Sequence, residues 1–335
     1  MPPRLPLAEL HCHIEGAASP RLVAELGDLQ GIDVSDIVAD NRFVWHDFST
    51  FLGAYDRVAA VFREPEHYRL LAREHLTGLA AQGAIYAEIF ISPDHAESAG
   101  LAPADYVAGL AAGLRDAEED TGILARMIVV GIRHLGPDAV ERAARFAVDL
   151  RHPLVTGFGL AGDERAGRPA DFARAFDTAR EAGLGLTAHA GEFCGPEAIA
   201  ETLRALRPSR LGHGVRAVED VALVRRIAQE GVTLEICPGS NLALGVYPGA
   251  AGHPLRALAR AGCRVTVSSD DPTFFATDLA AEYGFAATQG FSEGERIGLT
   301  RTAIEAAFID AQTRGRLEER LTLAALTLGA PGSKP

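Results

Sequence analysis

Lysine is almost missing from this chain of 335 residues; its one copy, Lys334, lies in the closing GSKP. Schiff-base chemistry, pyridoxal phosphate attachment, a phosphate-loop lysine and a carbamylated lysine bridging two metals all need a lysine inside the fold, so each is disfavoured. Cysteine is sparse too. Cys12, Cys194, Cys237 and Cys263 stand far apart without C-x-x-C spacing, which argues against a disulfide framework and for a reducing compartment. No run of eighteen apolar residues occurs, and MPPRLPLAELHCH lacks the apolar segment of a signal peptide, so the expectation is a soluble, cytoplasmic protein. Positive charge is in deficit: the net charge is -13. Nucleic-acid polymers and anionic membranes are repelled by such a surface, whereas a neutral small molecule is not.

With 47% hydrophobic residues, the chain has ample material for a large core. No linker, internal repeat or low-complexity block divides it, which predicts one domain over 1–335, with a core of about 7–325 and a flexible tail at 329–335. Eight apolar runs alternate with helix-like segments. They are LAELHC from Leu7, AIYAEIFISP from Ala84, RMIVVGIRH from Arg126, LVTGFGLAGDE from Leu154, the GLTAHAGE stretch at Gly185–Glu192, RLGHG from Arg210, VTLEICPGSN from Val232 and RVTVSSDDP from Arg264. Continuous apolar strands between amphipathic helices imply a parallel sheet buried on both faces, and eight such units imply a (β/α)8 barrel of the TIM type. Extra helices are expected after the first strand and at the C-terminus.

An open doubly wound sheet is the rival, and Gly157, Gly159 and Gly162 even spell G-x-G-x-x-G. Those glycines fall inside a strand, and Asp163-Glu164-Arg165 stands where a phosphate-cradling helix would begin, so the match is weak.

In a barrel, reactive groups gather at the carboxyl ends of the strands. There stand His11 and His13, which share one face of an extended chain, then His189, His213, and Asp270 with Asp271. Three histidines and one aspartate make a nitrogen-rich ligand set with one oxygen, which suits zinc and leaves a position for water. Glu192, three residues after His189 and beyond a turn at Ala190-Gly191, faces the same cavity. Phe48, Phe51, Leu52 and Tyr55 recur at helical spacing; such a stripe suits a helix packed on the core, or an apolar wall over a pocket for a flat substrate.

ELHCHIEG, LAGDE, TAHAGE, RLGHGVR, CPGSN and SSDDP, in this order from about Ala8 to Asp310, resemble the adenosine deaminase family of metal-dependent amidohydrolases. The resemblance implies one zinc per chain held by His11, His13, His189 and Asp270. It implies that Glu192 protonates the purine ring nitrogen beside the amino-bearing carbon, that His213 orients or deprotonates the water, and that Asp271 holds both the water and the imidazole edge. Gly162 looks like the glycine whose backbone contacts the purine. Glu15 departs from the nucleoside-type pattern, in which aspartate binds the ribose 5′-hydroxyl, and looks like the related adenine deaminases; LAGDE points back to the nucleoside type.

The function implied is deamination of adenosine and 2′-deoxyadenosine to inosine-type products in purine salvage. Adenine, N6-substituted adenines and larger adenosine derivatives stand as alternatives. A two-metal amidohydrolase and a silent barrel complete the list, and zinc content of one, two or none per chain separates them from a deaminase. The expected partner is a small purine, with self-association open.

Overall fold

The eight apolar runs become eight parallel strands ordered as they occur in the chain, in a computed structural model that describes residues 4–329. They are β1 (Leu7–Glu9), β2 (Ala84–Ile91), β3 (Leu124–Ile132), β4 (Val155–Ala161), β5 (Gly185–Ala190), β6 (Arg210–His213), β7 (Thr233–Ile236) and β8 (Arg264–Val267). Nearly every strand residue is buried, because helices cover the outside and side chains fill the inside. The expected barrel is therefore present. The tail expected to be flexible lies, beyond Gly329, outside the described residues.

Closure between β8 and β1 is irregular. Only a bridge between Cys12 and Asp270 joins the two edges, with His13 N–H donating to the Asp270 carbonyl at 2.9 Å and Asp270 N–H to the His11 carbonyl at 3.0 Å. Side chains supply the rest: Ser268 Oγ accepts from Leu10 N–H at 3.3 Å, and the Ser269 hydroxyl donates to Glu9 Oε2 at 2.6 Å. The run expected to be strand through Cys12 is thus ladder only to Glu9, and beyond it Cys12 and His13 are each held by a single bridge.

Helix starts follow local chemistry. Proline opens the helices Pro65–Gln82, Pro103–Thr121, Pro137–Leu150 and Pro196–Ala205, where its missing N–H costs nothing. Pro65 separates the helix Phe48–Ala59 from Pro65–Gln82. Asp47 caps the first of these through Thr50 in a reciprocal box, which fixes the angle at which Phe48 and Phe51 enter the barrel mouth. A short ribbon, Val38–Ala39 paired with Arg42–Phe43, was not expected; Asp40 and Asn41 both have positive φ (49° and 57°), as a two-residue hairpin turn requires. At the C-terminus Leu279–Thr288, Glu293–Ala306 and Ala311–Leu328 add the extra helices.

The barrel interior beneath the mouth holds buried charge beside an apolar cluster of Phe90, Ile128, Val130, Ile132 and Ala161. Arg210 of β6 contacts Glu88 Oε2 of β2 through Nη1 and Glu235 Oε1 of β7 through Nε, each at 2.6 Å. Its guanidinium lies 3.6 Å from the ring centroid of Phe308. All three charged residues are fully buried. Tyr86 Oη donates to Glu88 at 2.7 Å and the Thr187 hydroxyl to Glu235 at 2.9 Å. Among the described residues, no helix is long and apolar enough to cross a membrane.

Candidate active site

His189 is the penultimate residue of β5, where its Nδ1–H donates to the Leu160 carbonyl at 2.9 Å. A carbonyl can only accept, so the ring proton is on Nδ1 and Nε2 presents a lone pair. On β1's extension, His11 Nδ1 donates to Glu235 Oε2 at 2.9 Å, which likewise leaves its Nε2 bare. Yet His189 Nε2 lies 3.1 Å from His11 Nε2 and 3.2 Å from His13 Nε2, while Asp270 Oδ1 is 3.4 Å and 3.5 Å from the same two atoms. Converging lone pairs repel unless a cation sits among them. Neighbouring ligands on an ion with bonds of about 2.0–2.2 Å are roughly 2.9–3.5 Å apart, so these residues fit a divalent metal.

The titration tendencies agree. Burial and the nearby His11 and His13 charges push His189 well below the usual histidine range. His13 falls to about 3, chiefly through burial. Burial also opposes charge on His11, but Asp270 and Glu235 outweigh it and raise that ring to about 9. Burial opposes ionisation of Asp270, and the histidines around it prevail, holding it well below the carboxylate range. Positive charge is wanted at this spot.

Two of these positions demand unusual backbone. Asp270 and His213 have φ of 62° and 60°, in the left-handed region that aspartate and histidine tolerate better than most non-glycine residues. Gly212 gives the His11 ring its space, since a Cβ there would lie 2.7 Å from His11 Cε1.

Beside the cluster, His213 Nε2 is 3.9 Å from Asp270 Oδ2 and 3.7 Å from Glu192 Oε1. Asn241 Nδ2 faces His213 Nδ1 at 3.3 Å while its Oδ1 faces His253 Nε2 at 3.2 Å. Asn241 therefore donates to Nδ1, and the His213 proton lies on Nε2, directed at the cavity. Burial lowers His213 to about 4, so the ring is a neutral N–H donor.

Glu192 is 5% exposed. Burial first, then the charges of Asp270 and Glu164, raises its carboxyl well above the usual range, which keeps it protonated. Asp271 is raised in the same way, by burial and then by Asp270 and Glu192. Its Oδ1 has no hydrogen-bond partner among the described residues, so a buried acceptor is available to a ligand donor.

The cavity above is lined by Glu15, Phe48, Phe51, Leu52, Tyr55 and Gly162 together with His13, His189, Glu192, His213, Asp270 and Asp271. Every residue singled out from the sequence thus meets at one place, with His11 forming the floor just below. Phe51 packs in the core and also faces the cavity, so the two readings of the aromatic stripe are both realised. Several contributors escaped the sequence: Glu235 behind His11, Asn241 behind His213, Glu164 behind Glu192, and Tyr106, which donates to Glu15 Oε1 at 2.9 Å as the stripe residue Tyr55 does to Oε2 at 2.9 Å.

A family model described as adenosine deaminase matches residues 6–324. The chain belongs to the adenosine deaminase family. A family member from Chelativorans sp. (strain BNC1), named adenine deaminase, is 59% identical over 94% of this chain and 97% of its own length. The crystal structure of adenine deaminase from Arthrobacter aurescens superposes with a TM-score of 0.88 at 31% identity, covering 96% of this chain and 99% of that one. A zinc-bound amidohydrolase from B. ambifaria gives 0.87 at 26% identity, over 97% and 93%.

Proposed function

We propose that this chain hydrolyses adenine to hypoxanthine and ammonia, with one zinc ion held by His11, His13, His189 and Asp270. The observation that carries the choice of base over nucleoside is the wall built around Glu15. Both of its oxygens are engaged by tyrosines, Tyr55 from the helix Phe48–Ala59 and Tyr106 from the helix Pro103–Thr121. Its carboxyl is 1% exposed and is pushed up to about 7, mainly by burial. Glu15 and Tyr55 line the cavity while Tyr106 braces Glu15 from behind, and on this reading they close the space that a sugar on the imidazole edge would need. The LAGDE motif points to adenosine, but the adenine deaminases named above, at 59% and 31% identity, support the base.

When bound, zinc supplies the Lewis acidity that makes water nucleophilic near neutral pH. The chain's own residues do the remaining work. Glu192 gives its proton to the ring nitrogen next to the amino-bearing carbon, so that negative charge does not build up as that carbon becomes tetrahedral. His213 offers Nε2–H to the oxygen being added, acting as a donor. Asp271 accepts from the imidazole edge through its free Oδ1. The two protons of the added water are passed on as the tetrahedral carbon collapses, one restoring the Glu192 carboxyl and the other going to the amino nitrogen, so that the carbon–nitrogen bond breaks and ammonia departs. Phe48 and Phe51 exclude water from this step, and Gly162, where a Cβ would meet His134 Nδ1 at 2.8 Å, keeps the wall beside the ring thin.

Ammonia release from zinc-loaded protein is expected to show kcat/KM for adenine at least about 100-fold above that for adenosine. A preference for adenosine would return the nucleoside to first place. Zinc is expected to stabilise the chain as well as activate it: dialysis against a chelator should lower Tm, and zinc at 100 times its Kd should restore about 2.7 kcal/mol. Elemental analysis should find one zinc per chain; two would favour the two-metal amidohydrolases and none a silent barrel.

A further inference from the structure

We propose that Glu164 is a positioning residue for the reaction: its buried carboxylate gathers the loop after β5 and thereby aims Glu192 into the cavity. The inference rests on the deaminase reading above and extends it to a residue outside the cavity lining. Glu164 follows β4 and is 3% exposed. Its Oε1 accepts from Gly191 N–H at 2.5 Å, and its Oε2 accepts from Glu192, Phe193 and Cys194 N–H at 3.0, 2.7 and 2.9 Å.

Four consecutive amides converge on one anion. None of them belongs to a helix, because the next helix starts at Pro196, and a buried amide without an acceptor is costly. One side chain therefore determines the course of the whole turn. The turn starts at Gly191, with φ of 79°, where a Cβ would strike Ile199 Cδ1 at 2.4 Å. It is also held on its far side, where Arg216 N–H donates to the Gly191 carbonyl at 3.0 Å and the Arg216 guanidinium to the Phe193 carbonyl. Between these anchors Glu192 has its backbone fixed and its side chain free to point at the substrate. The carboxylate also places a negative charge behind Glu192, in the sense that keeps an acid protonated.

A side chain that only filled space would need neither charge nor two oxygens. Four charge-assisted bonds to one loop, with Glu192 as its second residue, are what accurate aiming requires.

The test uses the full, zinc-loaded chain as wild type, Glu164→Gln, Glu164→Asp, Glu192→Gln and the double variant Glu164→Gln/Glu192→Gln. Glu164→Gln is expected to lower kcat for adenine about 100-fold with KM within about threefold, to leave zinc content unchanged, and to speed amide hydrogen exchange at 191–194. Glu164→Asp, which keeps the charge on a shorter arm, should fall between. The double variant should be no slower than Glu192→Gln alone, because a residue acting only through Glu192 has nothing left to position.

Should Glu164→Gln fail to fold, Glu164→Asp alone and combined with Glu192→Gln carries the same comparison. Unchanged exchange at 191–194, or losses that multiply in the double variant, would overturn the proposal. Wild-type protein that releases no ammonia from adenine or adenosine would instead overturn the deamination reading, while faster exchange in Glu164→Gln would still uphold the clamp on the loop.

Discussion

Glu192→Gln is expected to lower kcat for adenine by about 10^3- to 10^4-fold, with zinc content and Tm close to wild type. Glutamine matches glutamate in shape, so the packing of a side chain that is 5% exposed is kept. What it cannot do is surrender a proton. Burial and the negative charges of Asp270, Glu164 and Asp163 push the Glu192 carboxyl up, against the positive charge of His11. Wild-type kcat/KM should therefore decline on the alkaline side, as Glu192 ionises and ceases to be a donor, and not on the acid side for that reason. Single-turnover measurements with adenine separate this loss from weakened binding. Near-normal turnover in the variant would remove Glu192 from the mechanism.

Arg210→Met is expected to destabilise the chain by about 3–5 kcal/mol. The substitution leaves Glu88 and Glu235 facing each other in the barrel interior, both fully buried, without the cation that lies 2.6 Å from each. It also removes the guanidinium from the face of Phe308. The contacts are close charge approaches more than well-aligned hydrogen bonds, so their worth is that of compensation: removing one partner exposes the cost that the set conceals. A second effect follows through Glu235, which orients His11. Loss of such an outer partner commonly weakens metal binding 10- to 100-fold, and chelator competition measures it. Denaturant unfolding of the variant at wild-type stability would show that the interior carboxylates need no counter-ion.

These two residues differ in how readily the sequence discloses them. Glu192 stands three positions after a histidine at a strand end, and the barrel places strand ends together, so its neighbourhood was legible once the eight runs were counted. His11, His13, His189 and Asp270 were legible for the same reason. Arg210 and Glu235 lie within apolar strands, and nothing in RLGH or TLEI says which way a charged side chain points or that Glu88 meets Arg210 from four strands away. The available signal was the charge itself in the middle of AIYAEIFI and TLEI, where a strand buried on both faces has no solvent for it. Tyr55 read as one member of an aromatic stripe; its partner Glu15 is 40 residues away and Tyr106 is 91 from that same glutamate. That separation is also why the substrate could be narrowed only to a purine: the motifs describe the end of the cavity where chemistry occurs, while the opposite wall is assembled from helices whose loops carry no motif.

The irregular junction between β8 and β1 has a consequence for how the chain reaches its working form. Its contacts join residues 258 and 260 positions apart, nearly the full span of the barrel. Neighbouring βα units can pair as soon as each is present, but loops of this length close at the largest entropic cost and favour late formation. His11 and His13 stand on one side of that junction and Asp270 on the other. Seven assembled strands would thus contain most of the core and no complete ligand set, so capacity to hold the metal becomes a property of the finished barrel alone, and its appearance during refolding marks the closing step.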